Sequence, residues 1–199
     1  MKQIDDITWQ SNDGLITFKN MDCNEFMAGC KDNEFNLNLS DPPYGIGISG
    51  QKECKKGKKS DRKFHMQKSW DLNIPDKQTF ENIFSTSKNQ VLWGANYIVE
   101  HLKEAHKGWI IWDKMQHGLT MSDCEIAYSS FDYPTRVWYK NRCVLKEQET
   151  IHPTEKPIEL YKWILDNYTK PTDTILDCFG GSMSNAIACH MKRRKLTII

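Results

Sequence analysis

Apolar positions along the chain alternate between short strand-like runs and helix-like spacings, which predicts an α/β sheet. Leu15-Ile16-Thr17-Phe18 reads as a first strand and Cys23 to Cys30 as a short helix. Phe35-Asn36-Leu37-Asn38-Leu39-Ser40 reads as a strand running straight into Asp41. Its alternation is unusual, because a central parallel strand is buried on both faces and tends to be continuously apolar. Asn36 and Asn38 must therefore find partners, or that face is open. Residues 45–70 show little periodicity and many turn formers, a long stretch for a loop in a compact domain. Lys77 to Ser85 suits a helix; residues 90–93, 109–112, 126–128 and 136–139 suit strands, with a turn near Tyr133-Pro134. Pro157 fits the first turn of a helix, and Ile158, Tyr161, Ile164, Leu165 and Tyr168 give that helix one apolar face. A strand at 174–177, a tight turn, a helix at 185–192 and a strand from Leu196 complete the pattern. Trp109, Trp112 and Trp138 read as core.

The 199 residues suit one domain, and 39% hydrophobic with 27% charged residues suits a packed core. No apolar run approaches the ~18 residues of a membrane span, and Met1-Lys2-Gln3-Ile4-Asp5 lacks a signal-peptide core. The seven cysteines have no metal-binding spacing, so free thiols in a soluble intracellular protein, and no metal, are expected. The net charge of +1 is uneven. In residues 51–68, eight Lys or Arg against Glu53 and Asp61 give +6, which leaves the remainder at −5. A basic segment on a mildly acidic protein suits phosphate contacts, and also suits a solvated loop.

Three segments carry chemistry. Asp177-Cys178-Phe179-Gly180-Gly181-Ser182 ends a strand in an acid and turns through two glycines into a helix, the design that places a ligand at the C-terminal edge of a parallel sheet. Alone it is as readily a structural turn. Asp41-Pro42-Pro43-Tyr44 follows another strand. Its prolines fix the backbone and remove two N–H donors, leaving the Asp41 carboxylate and Pro42 carbonyl as acceptors beside the aromatic face of Tyr44. An amino group would be held rigidly there. His152-Pro153-Thr154-Glu155-Lys156-Pro157 stiffens a loop ahead of a helix, and Lys156 could pair with an anion.

In this order the three segments resemble the amino-group DNA methyltransferases of the beta arrangement, the N6-adenine and N4-cytosine DNA methylases, over roughly residues 14–199. The resemblance implies a Rossmann-like α/β sheet that uses S-adenosylmethionine, with circularly permuted motif order. It also implies one catalytic domain over residues 1–199, a basic loop at 45–70 and a variable target-recognition region at about 113–150. Catalysis would fall to Asp41, Pro42, Pro43 and Tyr44. The two acceptors would hold an exocyclic amino group, Pro43 would shape the floor, and Tyr44 would stack on a base flipped from the duplex. S-adenosylmethionine would be held by Phe179, Gly180, Gly181 and Ser182, with Asp177 holding the loop and the cofactor's amino group. His152 belongs to the same cofactor set, Thr154 and Lys156 would reach the cofactor carboxylate, and Asp22 would hold the adenine amino group. A helix N-cap is the competing role for Asp22. Lys55, Lys56, Lys58, Lys59, Arg62 and Lys63 would contact DNA phosphates.

Two departures accompany the resemblance. Met183 stands where many members have a further glycine, and the chain stops at Ile199, before the acid that grips the cofactor's ribose and the elements beyond. A truncated sheet with missing C-terminal strands and a raw edge at Ile199 is therefore expected, and a catalytically weak DNA-binding remnant is the rival reading. Asp at the first catalytic position favours adenine over cytosine. RNA and protein glutamine are more distant targets. The implied partner is double-stranded DNA; a homodimer and a cognate restriction nuclease are compatible additions. The implied setting is the cytoplasm of a bacterium, or of a bacterial host for a phage gene.

Overall fold

The computed structural model describes residues 1–47, 71–102, 107–118, 122–141 and 155–199. The strands are β1 (Lys2–Gln3), β2 (Thr8–Gln10), β3 (Ile16–Lys19), β4 (Phe35–Ser40), β5 (Ser87–Trp93), β6 (Trp109–Asp113), β7 (Cys124–Ser129), β8 (Arg136–Tyr139), β9 (Thr174–Asp177) and β10 (Lys195–Ile198). They form one sheet in the order β1-β2-β3-β10-β9-β4-β5-β7-β6-β8. Strands β3, β10, β9, β4 and β5 are parallel neighbours. β7 enters antiparallel between β5 and β6, and β8 lies parallel to β6.

β10 corrects the expectation of a raw edge at the end of the chain. It lies inside the sheet, with Leu196 beside Ile16 on β3 and beside Ile175 on β9. Both of its flanks are therefore hydrogen-bonded, and the ladder continues through Ile199, whose N–H donates to Asp177 O and whose carbonyl accepts from Gly180 N. The strands β1 and β2 had no signal in the apolar pattern: Lys2–Gln3 is exposed and Thr8–Gln10 is short. They form an antiparallel extension on the outer side of β3.

The helices start where local chemistry satisfies their free N–H groups. α1 (Cys23–Ala28) is capped by Asp22, which accepts from Asn24 N and Glu25 N. α2 (Lys77–Thr86) is capped by Asp76, which accepts from Thr79 N. Pro157 sits at the N-cap of α3 (Ile158–Tyr168), one position before the expected first turn. α4 (Ser184–Met191) is entered through Met183, whose φ of 63° lies in the left-handed region. That backbone explains why glycine suits this position.

Apolar side chains cover both faces of the sheet, as a parallel sheet flanked by helices requires. Leu39, Val91, Ile175 and Leu196 pack with Leu160, Ile164 and Leu165 of α3 and Ala188 of α4. On the other face Leu92 and Leu176 pack with Met27 of α1 and with Phe80 and Ile83 of α2. Trp112 is buried and meets Trp138 edge-on at 6.4 Å, so these two do serve the core. The polar residues of β4 pair along β9. Asn36 Oδ1 accepts from Thr174 N and Thr174 Oγ1, and the fully buried Asn38 donates from Nδ2 to Cys178 Sγ at 3.3 Å. Asn38 Oδ1 has no hydrogen-bond partner among the described residues.

From β9 the chain passes through α4 to β10 on one side, while from β4 it passes through α2 to β5 on the other. The β4–β9 boundary is thus the point where the winding direction reverses, the position at which open α/β sheets bind ligands beyond the strand C-termini. Asn185 clamps this boundary: its Nδ2 donates to Leu39 O at 3.0 Å and to Asp177 Oδ2 at 2.9 Å. Asn185→Ala should orphan both acceptors in a buried place. Its unfolding free energy, measured by urea titration, should fall by about 2 kcal/mol.

Candidate active site

Asp41-Pro42-Pro43-Tyr44 and the Asp177–Ser182 turn emerge side by side at that boundary, from β4 and β9 respectively. Three hydrogen bonds tie their roots: Cys178 N donates to Ser40 Oγ, and Asn185 Nδ2 donates to Leu39 O and to Asp177 Oδ2. The carboxylate of Asp41 is held from both sides: Tyr44 Oη donates to Oδ1 at 2.5 Å, and Lys156 Nζ pairs with Oδ2. Lys156 Nζ also donates to Tyr44 Oη at 3.0 Å and lies 3.3 Å from Glu125 Oε2. Its side chain is only 2% exposed. Burial alone would drive the ammonium towards neutrality, but Asp41 and Glu125 more than offset it and raise its pKa above the ordinary lysine value.

Tyr44 is fixed by more than its hydroxyl. Its ring stacks on Tyr97 at 5.0 Å between centroids and 15° between planes. Its edge fills the space above Gly94, where a Cβ would lie 2.0 Å from Tyr44 Cε1. Gly94 also has φ +68°, so β5 can end there only on a residue that tolerates both demands. The backbone after the prolines is pinned by the buried Asp71, whose Oδ1 accepts from Tyr44 N at 2.7 Å and Gly45 N at 3.0 Å. Burial and the neighbouring Asp41 charge keep the Tyr44 hydroxyl protonated far above its usual range.

The second half of the site is the turn after β9. Asp177 is 3% exposed, and its Oδ1 accepts from Phe179 N at 3.0 Å. It therefore holds the start of the loop. Burial pushes its carboxyl up to about 6, against partial relief from Asn185 and Phe179 N–H. Phe179, Gly180 and Ser182 are half-buried and Gly181 is exposed. A Cβ on Gly180 would lie 3.0 Å from Ile198 Cγ1 and 3.3 Å from Ile199 O, so the glycine lets the turn lie closely against the end of β10. Ser182 Oγ bonds Ser184 Oγ, which donates in turn to Glu155 Oε1 at 3.1 Å. That bond draws the segment before α3 onto the turn.

Other expected residues fall differently. Asp22 is exposed and caps α1 through Oδ1 alone. Lys156 pairs here with the protein's own carboxylates on Asp41 and Glu125, which satisfies a buried ammonium's need for partners. His152 and Thr154 lie outside the described residues, as do Lys55, Lys56, Lys58, Lys59, Arg62, Lys63 and the rest of the basic segment. Among the described residues no group of three or more His, Cys, Asp or Glu could hold a metal ion, and no helix is long and apolar enough to cross a membrane. Sequence reasoning missed Asp71, Trp93, Gly94, Tyr97, Lys114, Glu125 and Asn185. The apolar pattern puts Trp93 on a strand that breaks at Gly94 and Asn185 on a helix, but it carries no signal for the part these residues play in the site.

A five-stranded parallel core reversing at β4–β9, with an antiparallel strand inserted near one edge and an acid-glycine turn opposite an Asp-Pro-Pro-Tyr segment, is the architecture of a methyltransferase. The family model N6_N4_Mtase, DNA methylase, matches residues 76–199, and the chain belongs to this family. The match includes Lys156 and the Asp177–Ser182 turn but begins after Asp41, so the reading of the Asp-Pro-Pro-Tyr segment rests on its placement in the fold. Solved structures of the same fold include M1.HpyAVI in complex with SAM (18% identity, TM-score 0.58, 92% of each chain covered). PvuII DNA methyltransferase, cytosine-N4-specific, aligns at 13% identity and TM-score 0.59, over 95% of this chain and 82% of that one. TTHA0409 from Thermus thermophilus, complexed with S-adenosyl-L-methionine, aligns at 15% identity and TM-score 0.51, over 89% of this chain and 85% of that one. No curated protein matches the sequence.

Two measurements check this geometry. Because the folded protein favours protonated Asp177, the unfolded chain, with its carboxyl near 3.8, releases that proton first as pH rises. The contribution of Asp177 to stability should thus decline by about 3 kcal/mol between about pH 4 and 6 and stay flat above. The gap in unfolding free energy between the wild type and Asp177→Asn, followed across that range, should narrow or invert by that amount. Gly94→Ala should displace the Tyr44 ring, seen as a loss of the Tyr44–Tyr97 contact in aromatic NMR spectra, and lower methyl transfer by about 10²-fold.

Proposed function

We propose that this DNA methyltransferase transfers a methyl group from S-adenosylmethionine to N6 of an adenine flipped out of double-stranded DNA. The observation that carries the reading is the convergence of Asp41 and the Asp177–Ser182 turn at one switch point. The turn fits the methionine end of that cofactor. Gly180 lets the backbone approach closely, the first N–H groups of α4 suit a carboxylate, and Asp177 suits an amino group. Thr154, His152 and Asp22 complete the proposed cofactor set. The cofactor supplies an electrophilic methyl on a sulfonium.

The chain's own residues do the rest. An exocyclic amino group is a weak nucleophile because its lone pair is delocalised into the ring. Asp41 and the Pro42 carbonyl accept hydrogen bonds from its two N–H groups, and their pull strengthens as positive charge develops on the nitrogen, so they favour the transition state over the ground state. As the N–C bond forms, the C–S bond breaks with its electron pair left on sulfur, and the nitrogen then loses one N–H proton to solvent. Pro42 and Pro43 keep these acceptors rigid. Tyr44 presents its ring to the base after its hydroxyl leaves Asp41. The basic segment at 51–68 and the region at about 113–150 bind the duplex and read the site.

Asp41 supports adenine over cytosine through the resemblance. Methylation of mixed-sequence DNA with labelled cofactor, followed by nucleoside analysis, tests the reading: N6-methyladenine is expected, and N4-methylcytosine would replace it with the second assignment. Calorimetry that detects no S-adenosylmethionine binding at millimolar concentration would instead favour a DNA-binding remnant. Tyr44→Ala should reduce turnover well beyond any change in cofactor affinity; equal turnover would remove the stacking role.

A further inference from the structure

Lys114, just after β6, and Glu125, on β7, belong to neither half of the site, yet they complete its charge array. Glu125 Oε1 pairs with Lys114 Nζ at 3.0 Å and Oε2 faces Lys156 Nζ at 3.3 Å. One carboxylate thus bridges two ammoniums, and the second ammonium reaches Asp41. The lysine side chains are 7% and 2% exposed. Burial pushes the Glu125 carboxyl up, but the two lysines overcome it and leave its pKa below the usual glutamate value. An ammonium has three hydrogens to donate, and Lys156 has three acceptors for them: Asp41 Oδ2, Tyr44 Oη and Glu125 Oε2. The ring of Trp93, 5.3 Å from Nζ, closes another side.

We propose that Glu125, backed by Lys114, is a positioning residue for the methyl-transfer centre: its carboxylate anchors the Lys156 ammonium, which in turn sets the orientation of the Asp41 carboxylate. The inference rests on reading Asp41 as the acceptor of the target amino group. When that amino group displaces the Tyr44 hydroxyl from Oδ1, Oδ2 stays on Lys156, and Lys156 stays on Glu125. Without the Glu125 charge the ammonium follows Asp41, and the acceptor loses its fixed direction.

Glu125→Gln keeps the shape and removes the charge; Glu125→Asp keeps the charge. Glu125→Gln should lower kcat for methyl transfer by about 10²-fold, with KM for DNA and calorimetric cofactor affinity held within about twofold. Glu125→Asp should retain more activity than Glu125→Gln. In NMR spectra selective for lysine ammonium groups, Lys156 should exchange its protons slowly in the wild type and rapidly in Glu125→Gln. An unchanged kcat, or Gln outperforming Asp, would overturn the proposal by showing that shape matters and charge does not. Should Glu125→Gln fail to fold, Lys114→Met carries the test: kcat should fall by about tenfold, and an unchanged kcat counts against the role. A wild type that methylates nothing defeats the functional reading alone. The Lys156 exchange comparison then decides the positioning, and equal exchange in the wild type and Glu125→Gln overturns it.

Discussion

A single buried ammonium ties the site together. Lys156 is nearly sealed from solvent, and isolating a charge there would cost several kcal/mol. The fold avoids that cost by bringing acceptors from separate strands to one point: Asp41 beyond β4 and Glu125 on β7, with Tyr44 and Trp93 enclosing them. These elements can meet only if β4, β5 and β7 are neighbours, as the sheet order provides. The arrangement also explains why the segment leading into α3 lies against the strand ends: Lys156 draws it to Asp41 and Glu155 draws it to Ser184. In this state the Asp41 carboxylate is engaged by the protein itself, through one neutral hydroxyl and one fixed cation. In the reaction proposed above, exchange of that hydroxyl for a substrate amino group is the smallest rearrangement that would make the site productive.

Much of the fold was legible in the sequence. β4, α2, β8, α3 and β9 lie where the periodicity put them, to within a residue or so, because each has a sharp local boundary: Ser40 runs into Asp41-Pro42, Asp76 caps α2, and Pro157 opens α3. The strand pair β1–β2 was not legible. It is short, polar and stabilised by pairing to β3, a tertiary effect that leaves no apolar period. The sequence order also misled about the end of the chain. A last strand suggests an edge, but β10 closes the gap between β3 and β9, and only the topology reveals that.

The site was legible in its motifs and opaque in their mutual arrangement. Asp41-Pro42-Pro43-Tyr44 and Asp177–Ser182 stand out because proline and glycine leave a backbone signature. Lys156 stood out too, but its partner could not be read, since choosing between a ligand's carboxylate and one on a distant strand requires the sheet order. Glu125 and Lys114 look like ordinary surface charges on a strand and a turn. Gly94 and Tyr97 gain meaning only once Tyr44 is seen to occupy the space between them.

The position of β10 has a consequence for how the molecule comes to exist. Leu196 pairs with Ile16 and Ile175, so β3 has no neighbour on its inner side until β10, made after β4 to β9, is available. Contacts between such remote segments carry a high loop-closure cost and form late. During synthesis β3 and its hairpin must persist with an unpaired apolar flank while everything from β4 to β9 is made, which is the circumstance in which chains aggregate or recruit chaperones. The permutation that sets the motif order thus also makes assembly of the sheet wait for its last-made inner strand, so the Asp177–Ser182 turn, which rests on β10 through Gly180, would be organised only after β10 has been made.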